Sequence, residues 1–107
     1  NNRRKYPRVD LANACTITVD GLDRKISGTM DNLSANGFAF MTKDDYFVDR
    51  KGQELSIEID HFGLPDHNRL TGRVIRCSNN DGVYIIGCQL PADDIRIRDY
   101  VEKKLAN

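Results

Sequence analysis

A chain of 107 residues, with 16 basic and 16 acidic side chains, three Cys and no Trp, has the length of one domain. At 39% hydrophobic and 30% charged it is ordinary globular material, neither disordered nor fibrous. A chain of this size buries roughly 65% of its unfolded surface, enough for one core without staples; no apolar run is long enough to span a membrane, and zero formal net charge argues against bulk capture of a nucleic-acid polymer or an anionic membrane.

The N-terminus, Asn1-Asn2-Arg3-Arg4-Lys5, has no apolar stretch behind it, so no signal peptide is expected. The absence of an initial Met reads as a domain cut from a longer protein. Arg3, Arg4, Lys5 and Arg8 crowd the first ten residues against one acid, Asp10: a local anion site or a solvated basic tail. Pro7 fixes its own φ and holds Tyr6 extended, so residues 1–10 form a stiff arm rather than a helix. Arginine is the side chain for bidentate phosphate bonds and for stacking on a base.

Six strands follow over residues 11–90. Ala14 to Val19 alternates with period two, and Asp20-Gly21 signals a turn. Lys25 to Met30 resumes the alternation, with Gly28 marking a bulge or a close backbone approach. The polar segment Asp31 to Asn36 leads to a short strand, Gly37 to Met41. Gln53 to Asp60 alternates cleanly, Leu70 to Cys77 is another strand, and Ser78 to Gly82 is a turn before Val83 to Leu90. Without crossover helices the sheet is antiparallel, and six short strands around one core close into a barrel. Residues 91–107 change period: Pro91-Ala92-Asp93-Asp94 opens a helix with acids in its first turn, and Ile95, Ile97, Tyr100, Val101 and Leu105 form its apolar face. The fold class is all-β, an antiparallel barrel with a C-terminal α-helix.

Cys15, Cys77 and Cys88 have no metal-ligand spacing and read as inert thiols suited to a reducing cytoplasm. His61 and His67, with Asp60 and Asp66, read as a solvated loop rather than a metal site. No nucleophile–base pair, carboxylate pair or phosphate loop is visible, so the chain is not expected to be an enzyme and needs no cofactor. Exposed aromatics on a basic sheet, the mark of single-strand nucleic-acid binders, are also missing.

Asp31-Asn32-Leu33-Ser34-Ala35-Asn36-Gly37 is the second notable segment. Asn32 and Ser34, two apart in extended backbone, present an amide and a hydroxyl on one face, suited to a purine edge. Gly37 would allow a positive φ or a ligand's close approach. Separately, Arg-x-x-x-Arg and Asn-x-Ser-x-x-Gly are common. Together, in this order and on this strand pattern, they resemble the PilZ domain, a bacterial receptor for the second messenger cyclic di-GMP. Arg4 and Arg8 match that family's arginine arm; Asn32, Ser34 and Gly37 match its strand motif. The resemblance implies a six-stranded barrel and a cyclic di-GMP site at Arg3, Arg4, Arg8, Asn32, Ser34 and Gly37. It also implies an attached or separate effector, a cytoplasmic location and no catalysis. Ligand-blind PilZ-like modules, which bind only protein, typically lack the arginine arm. In the family the residue before the arm correlates with ligand number; here that is Arg3, whose extra guanidinium implies two cyclic di-GMP per chain. The arm has few apolar anchors and is expected to fold over the ligand.

Overall fold

Alternating side chains become barrel wall. The computed structural model describes residues 5–64 and 68–106. Among these residues are seven strands and one α-helix: β1 (Val9–Asp10), β2 (Ala14–Thr18), β3 (Ile26–Ser34), β4 (Gly37–Thr42), β5 (Glu54–Ile59), β6 (Arg69–Asn80), β7 (Val83–Gln89) and α1 (Ile95–Ala106). Every pairing is antiparallel, in the order β1-β3-β2-β5-β6-β7-β4. Pairing of β4 back onto β3 closes β2–β7 into a six-stranded barrel. Closure leaves the six wall strands no open edge, and their inward positions fill the core. Ile17, Ile57, Met30, Leu33, Phe40 and Ile86 are fully buried there. Burial pushes the thiols of Cys15 and Cys88 up to about 12, so both stay protonated and unreactive.

Two bulges set which residues face outward. The β3–β4 register jumps from Met30↔Phe40 to Asn32↔Ala39, leaving Asp31 as the extra residue. Met30 and Leu33, three apart, therefore both point inward, which strict alternation forbids. The β6–β7 register jumps likewise from Val74↔Cys88 to Arg76↔Gly87, leaving Ile75 extra and exposed.

Several boundaries differ from the sequence reading. β3 runs past the expected Met30 to Ser34, so the extended backbone expected at Asn32 and Ser34 continues that strand. Gly28 marks a close approach and not a bulge: a Cβ there would lie 2.7 Å from the Met41 carbonyl oxygen. β6 reaches Asn80, and the turn shrinks to Asp81-Gly82, both at positive φ (55° and 84°), the geometry of a two-residue type I′ hairpin. A 3-10 turn at Asp45–Phe47, unforeseen because three residues carry no periodicity, is capped by Asp44; its Phe47 meets Phe40 edge-on at 5.8 Å and is fully buried.

The two-residue β1 was not anticipated. It pairs with β3 as Val9↔Leu33 and Asp10↔Asn32, continuing the line of β2 along the same edge. The helix starts at Ile95, later than the expected 91; Asp94 precedes it as cap, its carboxylate accepting from the Arg96 and Ile97 amides at 2.9 and 3.1 Å. No acid lies in the first turn itself. Ile97 and Val101 bury the inner face of α1, which packs against β3 and β1. The turn between β3 and β4 carries the segment leading into α1: the Leu90 amide donates to the Asn36 carbonyl (3.0 Å) and the Asp94 amide to the Ala35 carbonyl (2.8 Å). Among the described residues, no helix is long and apolar enough to cross a membrane.

Candidate functional site

Register builds the site. Val9 faces Leu33, so one step back along β1 brings Arg8 level with Ser34. Across the wall, pairing defines a rung Asn32–Ala39–Gly87–Arg76 spanning β3, β4, β7 and β6. The next rung is Ser34–Gly37–Gln89–Arg73. Small residues occupy the middle of these rungs at Ala39, Gly87 and Gly37, so the wall is hollow there and polar groups ring the hollow. The result is a cleft of about 210 Å³ lined by Arg8, Asn32, Ser34, Gly37, Ile75, Arg76 and Gln89, among others.

Four of the expected site residues, Arg8, Asn32, Ser34 and Gly37, thus meet in one cleft. Arg3 and Arg4 lie outside the described residues. Asn32 is half-buried, its amide donating to the Asp31 carboxylate at 3.1 Å, so the bulge residue orients it. Ser34 is only 4% exposed; its hydroxyl donates to Asn36 Oδ1 at 2.7 Å and thereby shapes the β3–β4 turn. Gly37 does not adopt a positive φ. Its close neighbour is backbone: an added Cβ would lie 2.5 Å from the Cys88 carbonyl oxygen.

The arm is strapped down where it enters. Asp93, just before the helix cap, accepts from the Tyr6 hydroxyl at 2.9 Å and pairs with Lys5 at 3.2 Å. The Tyr6 hydroxyl bond and the Lys5 ammonium hold the Asp93 carboxyl below its ordinary value, and the same bond to Asp93 raises Lys5. With β1 added, residues 5–10 are attached at both ends, in contrast to the loosely anchored arm expected from sequence.

Ile75, Arg76 and Gln89 were missed by the sequence reading. An Arg placed opposite a strand Gly was the available signal, but the Ile75 bulge shifts that pairing by one and hid it. A larger cleft of about 300 Å³ lies beside this one, yet its charged residues Glu54 and Arg73 already pair with each other at 3.4 Å. Among the described residues, no group of three or more His, Cys, Asp or Glu could hold a metal; His67 and Asp66 lie outside those residues.

These features define a class: a small closed antiparallel barrel whose N-terminal segment and outer wall share a polar cleft. The model of the PilZ domain matches residues 2–105, and the chain belongs to that family. No curated protein sequence matches it. Among solved structures, Bacillus subtilis inhibitor of motility (MotI/DgrA) superposes with a TM-score of 0.74 at 19% identity, over 100% of this chain and 53% of that one. The PilZ domain of Escherichia coli YcgR with c-di-GMP gives 0.71 at 15% identity, over 97% and 95%. The K. pneumonia MrkH–c-di-GMP complex gives 0.63 at 18%, over 99% and 52%. The chain therefore spans about half the length of MotI and MrkH and nearly all of the isolated YcgR domain.

Proposed function

We propose that this domain is a cyclic di-GMP receptor module that senses rather than catalyses. One observation carries the reading: in a PilZ chain, β1 pairing brings Arg8 of the arginine arm into the same cleft as Asn32, Ser34 and Gly37 of the strand motif. The YcgR and MrkH structures with c-di-GMP support it as analogies. Cyclic di-GMP offers two phosphates and two guanines. Arg4 and Arg8 serve the phosphates and stack on base faces; Asn32 and Ser34 address a guanine edge. At about 210 Å³ the cleft is smaller than the roughly 300–1,000 Å³ of enclosing ligand sites, so the ligand rests on the wall and the arm covers it. Charge-assisted bonds contribute about 1.5–3 kcal/mol each. Several, less ordering costs, give roughly −7 to −9 kcal/mol, high-nanomolar to micromolar binding. Arg3 adds a guanidinium for a second ligand, giving two per chain. The signal passes to an attached or separate effector in the cytoplasm.

Calorimetric titration with cyclic di-GMP, with cyclic di-AMP and GTP as controls, tests the assignment. Binding of cyclic di-GMP alone is expected, as is a loss of about ten- to hundredfold or more in Arg8→Ala or Arg4→Ala with an unchanged melting curve. An Arg8→Ala protein that melts normally and binds like the unmodified chain removes the arm from the site.

A further inference from the structure

Arg76 belongs to neither motif, yet it ends the rung that Asn32 begins. Two strands, β4 and β7, separate them in the rung Asn32–Ala39–Gly87–Arg76, about 14 Å from end to end at the usual strand spacing. The two residues between have little or no side chain, so the rung carries its polar side chains only at its two ends. The Arg76 side chain lies back over Gly87. A Cβ on Gly87 would sit 2.9 Å from its Cγ and 3.0 Å from both its Nε and Cζ, so the whole stem crosses the space that Gly87 leaves empty. Arg76 is exposed, lines the cleft, and has no hydrogen bond or ion pair with any described residue. An arginine that pairs with no described carboxylate and lies along the wall keeps its N–H donors available to a base that enters the cleft.

We infer that Arg76 is a base-specificity residue: its guanidinium fork donates to the O6/N7 acceptor edge of a guanine seated beside it in the cleft, opposite Asn32. This rests on the cyclic di-GMP reading. Guanine offers two adjacent acceptors at that edge; adenine replaces one with an amino donor, which the fork repels. The Ile75 bulge is the positioning device, since it alone puts Arg76 rather than Ile75 opposite Gly87. Ile75, turned outward, supplies an apolar shoulder to the same cleft.

The test is calorimetry with cyclic di-GMP and cyclic di-AMP on the unmodified chain, Arg76→Ala, Arg76→Lys and Gly87→Ala. Arg76→Ala is expected to weaken cyclic di-GMP binding about ten- to hundredfold and to narrow its preference over cyclic di-AMP by a similar factor. Lysine keeps the charge without the fork, so Arg76→Lys should leave the preference narrowed. The nearest atoms to a Gly87→Ala Cβ all belong to the flexible Arg76 side chain, so this variant should fold normally, displace the guanidinium and weaken binding; added to Arg76→Ala it should cost nothing more. Unmodified chain that discriminates, with Arg76→Ala discriminating equally, overturns the assignment to Arg76 and leaves the receptor reading standing. An unmodified chain that binds neither nucleotide overturns the receptor reading and this inference with it.

Discussion

Asn32 and Ser34 stand two residues apart and look equivalent in sequence, but their surroundings separate them. Asn32 is half-exposed, and its side chain bonds to neighbouring Asp31, so Asn32→Ala should leave the melting temperature near that of the parent. It should cost about 1–2 kcal/mol of binding by losing neutral hydrogen bonds to the base. Ser34 is buried and holds Asn36, so Ser34→Ala should lose binding and also about 1 kcal/mol of stability. Paired calorimetry and thermal melts distinguish the two; identical melts would refute a turn-forming role for Ser34. Asp93 makes a separate prediction. Its carboxyl is lowered, so its hold on the arm is complete above the ordinary carboxylate value of 3.8 and is lost as pH falls through the lowered one. Lys5 is raised, so its part persists until pH climbs past 10.5. The strap should be intact across the whole range between. Asp93→Ala should speed amide exchange at Tyr6 and Arg8 with little change in melting temperature; unchanged exchange would show that β1 alone holds the arm.

Among the elements, β4 and β7 approach most tightly where Gly37 meets the Cys88 carbonyl. Gly37→Ala drives a Cβ against rigid backbone and must push β7 aside, for about 1–3 kcal/mol of destabilisation. Thermal denaturation checks this, and a neutral substitution would mean that the pair relaxes freely. A glycine in the strand motif therefore serves the wall before it serves a ligand. Elements long enough to show their period were legible in sequence: β2, β5 and β7 appear within a residue or two of their expected ends, whereas of the apolar face expected for α1 Ile97 and Val101 are buried but Ile95 and Leu105 are exposed. What escaped were features without a period. A two-residue strand such as β1 has no alternation to detect and exists only because β3 offers it an edge. The bulges at Asp31 and Ile75 are visible only once the partner strand is known. For the same reason half of the site was readable and half was not: the two motifs are local in sequence, whereas Ile75, Arg76 and Gln89 join them through pairing.

For the molecule as a whole, the charge balance conceals a local excess. Overall charge is zero, yet Arg3, Arg4, Lys5 and Arg8 fall within the first eight positions of the sequence, and Arg76 and Arg8 line one cleft. Two stacked cyclic di-GMP molecules bring four phosphate charges, and such a cluster is suited to neutralising them. Two ligands per chain are expected in calorimetry, shifting toward one in Arg3→Leu; a ratio of one in the unmodified chain across ligand concentrations would refute the pair and leave the receptor reading untouched.

The hydrogen bonds from Leu90 and Asp94 to the carbonyls of Asn36 and Ala35 make the β3–β4 turn a bearing for α1. Its inner side faces the cleft through Ser34 and Gly37, and its outer side carries the pivot of a 12-residue helix, about 18 Å long. A rotation of a few degrees at the turn would thus become a displacement of an ångström or more at Ala106. A small strain at the β3–β4 turn is in this way magnified along the length of α1. Exchange rates of the Leu90 and Asp94 amides, with and without cyclic di-GMP, would register the load on that bearing.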